Sequence, residues 1–346
     1  MTNKDMPTSR RSIIQKLTRA RLEKGLTQEQ LAKLIGTQRS NICRIESGTQ
    51  NLSLDMMLKI AEALGKDISI MLEERSKPMT NVYILRLYDE DLITFSLEEK
   101  GLEGLQANIL YSDTQNANLF PLDLELTDEG IIKWLEKRVI PKNRQFVDEI
   151  LKTLGLSVNN TKGIIDVCMG LSLNDSYWVV HADFKGKFAD YNLYENRFSE
   201  ALSLVAYTGA GGSNEAFSTS PELTTNGMLR KAWRFVDNDG IYLYKGGTEG
   251  AANTGNEPYS EYYACRIAEA MGLNCVQYDL EKWKGILASK CRLFTDIDTA
   301  FVPIGRILGN CTLKKCLDYY AVLGEDFYEQ LCSMLVFDSV IYNEDR

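Results

Sequence analysis

Apolar residues recur every three to four positions through the first sixty-five residues, and alternate in shorter runs from about residue 82 onward. Over 11–23, Ile14 and Leu17 share one face and predict a helix. Thr27, followed three residues later by Gln30, makes a capping-box pattern for a second helix. Leu31, Leu34 and Ile35 face its core side, and Gly36 ends it. A third helix is predicted over about 38–47, stopped by Gly48. Ser53 caps a fourth, in which Leu54, Met57, Leu58, Ile60, Ala61 and Leu64 fall at helical spacing, and 68–74 add a short fifth.

The charged segment EERSKPMT (73–80) contains Pro78 and reads as a linker, placed at 75–80. Beyond it, VYILRL (82–87) and LITFSL (92–97) flank YDED as a hairpin, and 107–111 and 119–126 are expected to add strands. Thr127 or Asp128 starts a helix with Ile131, Ile132, Trp134 and Leu135 apolar. Another helix over about 144–154 ends at Gly155. The Asn-Asp pair in GLSLNDSYWVV (170–180) reads as a turn between apolar runs. The pattern therefore divides the chain into an all-α segment (8–74), the linker, an α+β middle region (81–198) and a further α+β region (199–346).

Charge sharpens this division. The net charge is −9, yet residues 1–77 hold 14 Lys and Arg against 9 Asp and Glu, a balance of +5; the remainder holds 25 against 39, or −14. A basic head on an acidic body suits nucleic-acid binding confined to the head. Eight scattered cysteines without a CxxC pair, and a single histidine (His181), offer no zinc-finger spacing and no metal site. The thiols fit a reducing cytoplasm. The N-terminus MTNKDMPTSRR has no apolar signal core and no run of 18 apolar residues follows, so a cytoplasmic protein without a membrane span is expected.

Within 27–46, Ala32 lets two short helices touch, Gly36 supplies the turn, and Ile42 and Ile45 plug the later helix onto the earlier. This five-helix pattern, with the IESG turn (45–48), resembles the Cro/repressor-type (XRE-like) helix-turn-helix domain. The resemblance implies that Gln38, Arg39, Ser40 and Arg44 face base edges and that Gln28 meets backbone phosphate. Arg is suited to guanine O6 and N7 and Gln to adenine; a plain solvated face is the alternative for Arg39 and Arg44. One such motif reads a half-site, so double-stranded DNA bound by a homodimer is expected.

The later region holds a second ordered set. IYLYK (241–245) is a short strand ending in Lys245, followed by the glycine-rich GGTEGAANTG (246–255) and a helix over 259–271 containing Glu261. Neither that loop nor TGAGGS (208–213) has a P-loop ending, and neither is a clean dinucleotide fingerprint. LTTNG (223–227) offers hydroxyls and a glycine for phosphate, and FDSVIYNEDR (337–346) runs from a helix end into a loop presenting Asp345. A strand lysine held by a helix carboxylate is the kinase-type arrangement for phosphates, although a lysine ending a strand is commonly just solvated. One histidine without HExxH or GxSxG leaves no hydrolase triad.

YLYKGG (242–247), EPYSEYYACRIAEAMGL (257–273) and VIYNEDR (340–346) make residues from about 200 onward resemble the HipA family of Ser/Thr kinases. The resemblance implies a two-lobed kinase-like fold using ATP and Mg2+. Lys245 is then the phosphate lysine, Glu261 its partner and Asp345 the catalytic base. Thr224, Thr225 and Gly227 fall in the phosphate loop, and SKCRLF (289–294) is the adenine hinge by position. The sequence ends at Arg346, before the Asn and Asp that hold metal in that family, so an incomplete reading frame or an inactive kinase is expected. The reading is a DNA-binding transcriptional regulator fused to a HipA-like kinase, toxin–antitoxin-like, with a protein substrate. The alternative is a non-enzymatic repressor whose body only dimerises or senses a ligand.

Overall fold

A computed structural model describes residues 8–47, 50, 52–66, 81–100, 104–210, 219–236, 239–248 and 255–343. Two compact units emerge, Met1–Ser76 and Lys77–Arg346. The fifth helix and the linker expected over 68–80 lie outside the described residues.

The first unit contains α1 (Thr8–Glu23), α2 (Gln28–Leu34), α3 (Arg39–Glu46) and α4 (Leu54–Leu64). Thr27 and Gln30 form the reciprocal capping box and Ser53 caps α4 through Met56 N, as their spacing predicts. Leu31, Ala32, Ile42, Ile45, Ile60 and Leu64 make the core. Leu34 is 61 % exposed, against expectation. The inner face of α2 is centred between Leu31 and Ala32, and at 100° per residue Leu34 is carried off its edge. Leu54 and Leu58 of α4 are exposed, since its inner face centres on Ile60, Ala61 and Leu64.

The second unit has two four-stranded antiparallel sheets. The first, ordered β3-β2-β1-β4, comprises β1 (Val82–Leu87), β2 (Glu90–Glu99), β3 (Leu105–Ser112) and β4 (Tyr177–His181). The run 119–126, expected as a strand, is not one. Pro121 cannot donate to a ladder; a turn closes from Leu124 N to Pro121 O, and residues 114–119 form a 3-10 segment. The helices α5 (Asp128–Glu136), α6 (Val147–Thr153), α7 (Thr161–Cys168) and α8 (Glu200–Thr208) cover one face of this sheet. Ile84, Trp178 and Val180 on its other face join Leu171, Phe188, Trp233 and Ile241 in a second core.

That core reaches the second sheet, ordered β5-β6-β8-β7: β5 (Lys231–Val236), β6 (Gly240–Gly246), β7 (Tyr278–Trp283) and β8 (Ile286–Arg292), with α9 (Glu257–Ala270) between β6 and β7 in sequence. The boundary expected at 198/199 therefore falls inside one unit: Leu202, Val205 and Ala206 of α8 join the core on the first sheet, while its Ser203 hydroxyl donates to Trp233 O of β5 at 2.8 Å. The chain then continues through α10 (Ile304–Leu308), α11 (Leu313–Leu323) and α12 (Glu325–Ile341).

A wholly buried ion pair ties the halves together. Arg144 Nη2 donates to Glu222 Oε2 at 2.5 Å and to Lys231 O at 2.9 Å, while Glu222 Oε1 accepts from Trp233 N at 2.7 Å. Burial pushes the Glu222 carboxyl up, and Arg144 opposes that shift. This clamp holds the start of β5 and the 224–227 loop against the segment before α6, where Gln145 N also donates to Met228 O at 2.7 Å.

Candidate functional site

In the first unit, Gly36 takes φ +69°, and Thr37 N returns to Ala32 O at 2.8 Å, so the chain reverses from α2 into α3 within a few residues. Ile42 and Ile45 bury one side of α3, which leaves Gln38, Arg39, Ser40 and Arg44 exposed on the other. These four occupy the face expected for base contacts.

Gln28 has a second commitment. Its Nε2 donates to Glu46 Oε2 at 2.8 Å, and the same carboxylate receives Arg21 Nε at 2.6 Å and Nη2 at 2.9 Å. Arg21 also donates to Leu26 O at 2.7 Å and is buried. Glu46 therefore joins α1, the start of α2 and the end of α3. Nothing in the sequence singles out Arg21 or Glu46, since a buried charge is identified only by its partner.

In the second unit, Lys231, Lys245 and Ser289 stand in one cross-strand row on β5, β6 and β8. Lys245 Nζ donates to Glu261 Oε1 and to Tyr278 Oη, both at 2.7 Å, and lies 4.9 Å from the Tyr278 ring centre. Ser289 donates to the other oxygen of Glu261. The expected strand lysine and helix glutamate thus meet, and their orienting partners are Tyr278 and Ser289. Burial acts to lower the Lys245 pKa, but Glu261 and Tyr278 together outweigh it and the net shift is upward, so the ammonium stays charged.

Lys231 behaves oppositely. Burial, with Arg144 and Lys245 nearby, pulls it down to about 8. Its Nζ donates to Asn226 O at 2.7 Å, which brings the 224–227 loop beside Lys245. Gly227 holds φ +96°, and a Cβ there would lie 2.2 Å from Lys231 Nζ. The Thr224 hydroxyl donates to Leu171 O at 3.0 Å; that of Thr225 donates to Pro221 O at 2.6 Å and accepts from Trp233 Nε1 at 2.9 Å. Both hydroxyls serve the fold, leaving backbone N–H groups and Lys231 as the donors an anion could meet. Lys231 carries no signal in the sequence, because the cross-strand register that pairs it with Lys245 is a tertiary fact.

The glycine-rich loop is pinched at its neck. A Cβ on Gly247 would lie 2.5 Å from Gly255 Cα, and Glu257 accepts from Thr248 Oγ1 at 2.6 Å and Thr248 N at 3.1 Å. Within the expected hinge, 289–291 are paired in β8 with strands on both sides and Arg292 with β6, so only Leu293 and Phe294 follow the strand. Asp345, the expected base, lies outside the described residues; α12 ends at Ile341, and Asn343 Nδ2 donates to Asp338 Oδ1 at 2.9 Å. Among the described residues no group of three His, Cys, Asp or Glu side chains could hold a metal ion, and no helix is long and apolar enough to cross a membrane.

Residues 17–71 match the helix-turn-helix family model HTH_3. Three HTH-type transcriptional regulators are similar over this segment. The one from Haemophilus influenzae is 39% identical over 60 residues, covering 17% of this chain and 61% of the relative. YqaF of Bacillus subtilis is 43% identical over 58 residues, 17% of this chain and 76% of the relative. A protein of Methanothermobacter thermautotrophicus is 43% identical over 61 residues, 16% of this chain and 88% of the relative. A solved toxin–antitoxin complex of HipA, HipB and operator DNA from Shewanella oneidensis MR-1 overlays 62% of this chain and 52% of that chain, with 16% identity and a TM-score of 0.39.

Proposed function

Through residues 17–71 the chain belongs to the helix-turn-helix family of transcriptional regulators, and from that premise we propose a dimeric operator-binding protein whose second unit is a HipA-like kinase. The first unit lays α3 in the major groove. Arg39 and Arg44 take guanine edges, Gln38 adenine, and Ser40 either. Gln28 keeps one amide hydrogen on Glu46 and turns the other to phosphate, so the carboxylate orients the contact. Two such units on a two-fold operator read two half-sites.

The kinase reading is carried by one observation: a strand lysine gripped at 2.7 Å by a carboxylate from the following helix, in a sheet where a second lysine and a glycine turn stand alongside. These residues fit nucleotide phosphates. Lys245 supplies a permanent cation, Glu261 with Ser289 fixes its position, and Lys231 with the backbone near Gly227 meets a second phosphate. ATP, when bound, supplies the phosphoryl group, and Asp345 would accept the proton of a Ser or Thr hydroxyl on a protein substrate. Mg2+ belongs to the same reading through the family resemblance.

The test is phosphate incorporation from labelled Mg·ATP by the full chain, against Lys245→Ala. Loss of incorporation in the variant supports transfer; equal incorporation by both proteins sinks the assignment. Nucleotide binding without transfer would leave a regulator whose body senses a ligand.

A further inference from the structure

Cys311 and Cys316 bring their sulfurs to 2.9 Å, near the surface and remote in sequence from the nucleotide site. Their meeting follows from helix geometry. Thr312 is the N-cap of α11 and accepts from Lys315 N at 3.3 Å, which makes Cys311 the residue before the cap and Cys316 the fourth residue of the helix. Side chains at these two positions meet across a helix start; in ordinary proteins two apolar groups fill them as a staple. Here two thiols do.

The turn is held by other contacts. Cys316 N donates to Thr312 O at 3.0 Å and Lys315 Nζ to Asn310 O at 3.0 Å. A disulfide sets its sulfurs about 2.05 Å apart, so closing the bond needs a sulfur shift of roughly 1 Å, within reach of side-chain rotation.

We propose that Cys311 and Cys316 are a thiol–disulfide site, oxidised by low-molecular-weight disulfides of the glutathione type. Cys311, the more exposed of the two, attacks as thiolate on one sulfur of the small disulfide and releases one equivalent of small thiol. Cys316, after giving up its proton to solvent, attacks Cys311 Sγ in the mixed disulfide and releases the second. The two protein thiols are oxidised by two electrons, the small disulfide is reduced to two thiols, and one S–S bond is exchanged for another. In the dithiol, the hydrogen bond to Cys311 pushes the Cys316 thiol up to about 11, which keeps Cys316 protonated and disfavours it as the first nucleophile. The product is a covalent staple across the start of α11, immediately after the turn that leaves α10.

Equilibrating the full chain with excess oxidised glutathione, alkylating residual thiols and mapping peptides by mass spectrometry reads the site directly. The expected product is a peptide containing Cys311 and Cys316 that is two hydrogens lighter and unalkylated. Cys311→Ser should abolish it and leave Cys316 alkylated or carrying one glutathione. A second readout is amide exchange at 313–316, expected to slow several-fold on oxidation in the parent chain and not in the variant. Recovery of both thiols alkylated, both stably glutathionylated, or either bridged to another cysteine overturns the proposal.

Discussion

Two lysines one strand apart carry the same formal charge and opposite shifts, and the difference is the carboxylate. Burial acts to lower both; Lys245 has Glu261 and Tyr278 at 2.7 Å and is driven up, whereas Lys231, with Arg144 and Lys245 as neighbours, is drawn down to about 8. At pH 8 about half of Lys231 is neutral in the free protein. A phosphate bound beside it favours the charged form, so its pKa rises and the proton is taken up from solvent. Calorimetry of ATP binding at pH 8, in buffers of different ionisation enthalpy, should show uptake of up to about half a proton, lost in Lys231→Met. The sign also sets the pH profile. Affinity is full below pH 8 and weakens as pH rises through it. Proton release on binding would contradict this placement of Lys231.

The helix face offers its own residue-level contrast. Arg44→Ala should relax sequence preference by about 1–3 kcal/mol at one base pair, whereas Gln28→Ala should weaken binding to operator and random DNA alike. An unchanged specificity ratio in Arg44→Ala would remove its base-reading role.

At the scale of elements, Glu46 links three helices of the first unit through Arg21 and Gln28. Arg21 is 7 % exposed, and removing its partner leaves a nearly buried guanidinium uncompensated. Breaking such a pair costs about 3 kcal/mol. Urea unfolding of Glu46→Ala should therefore show the first unit destabilised by roughly that amount, while Glu46→Gln, which still accepts a hydrogen bond, loses less. Equal stability for Glu46→Ala and the parent would mean that the pair contributes nothing net.

Caps and periodicity made most elements of the first unit legible in advance, because Thr27, Gln30, Gly36 and Ser53 act locally. In the second unit the hairpin, the lysine strand and the glutamate helix were legible for the same reason. What local pattern could not supply was the pairing between distant strands. Register alone puts Lys231 and Ser289 beside Lys245, and only the folded 221–227 segment shows that the Thr224 and Thr225 hydroxyls donate to Leu171 O and Pro221 O. The run 119–126 misled because apolar alternation outweighed Pro121; local pattern also could not show that α8, beyond 198/199, shares a core with the first sheet.

For the whole molecule, the division at Ser76/Lys77 coincides with the change from a basic head to an acidic body. Each unit has its own core, so each can unfold as a cooperative body. A ligand stabilises only the unit that binds it, by RT ln(1 + [L]/Kd), about 2.7 kcal/mol at one hundred times Kd. Differential scanning calorimetry of the full chain should resolve two transitions. Operator DNA should raise the transition of the first unit by several degrees, and Mg·ATP that of the second, with each ligand leaving the other transition in place. High salt should erase the DNA shift, because counterion release drives that contact, and weaken the nucleotide shift less, because Lys245 and Glu261 are partly buried. Movement of both transitions by either ligand would mean that DNA and nucleotide occupancy are coupled across the division. Movement of neither by Mg·ATP would leave the lysine–glutamate pair as a structural feature of the sheet.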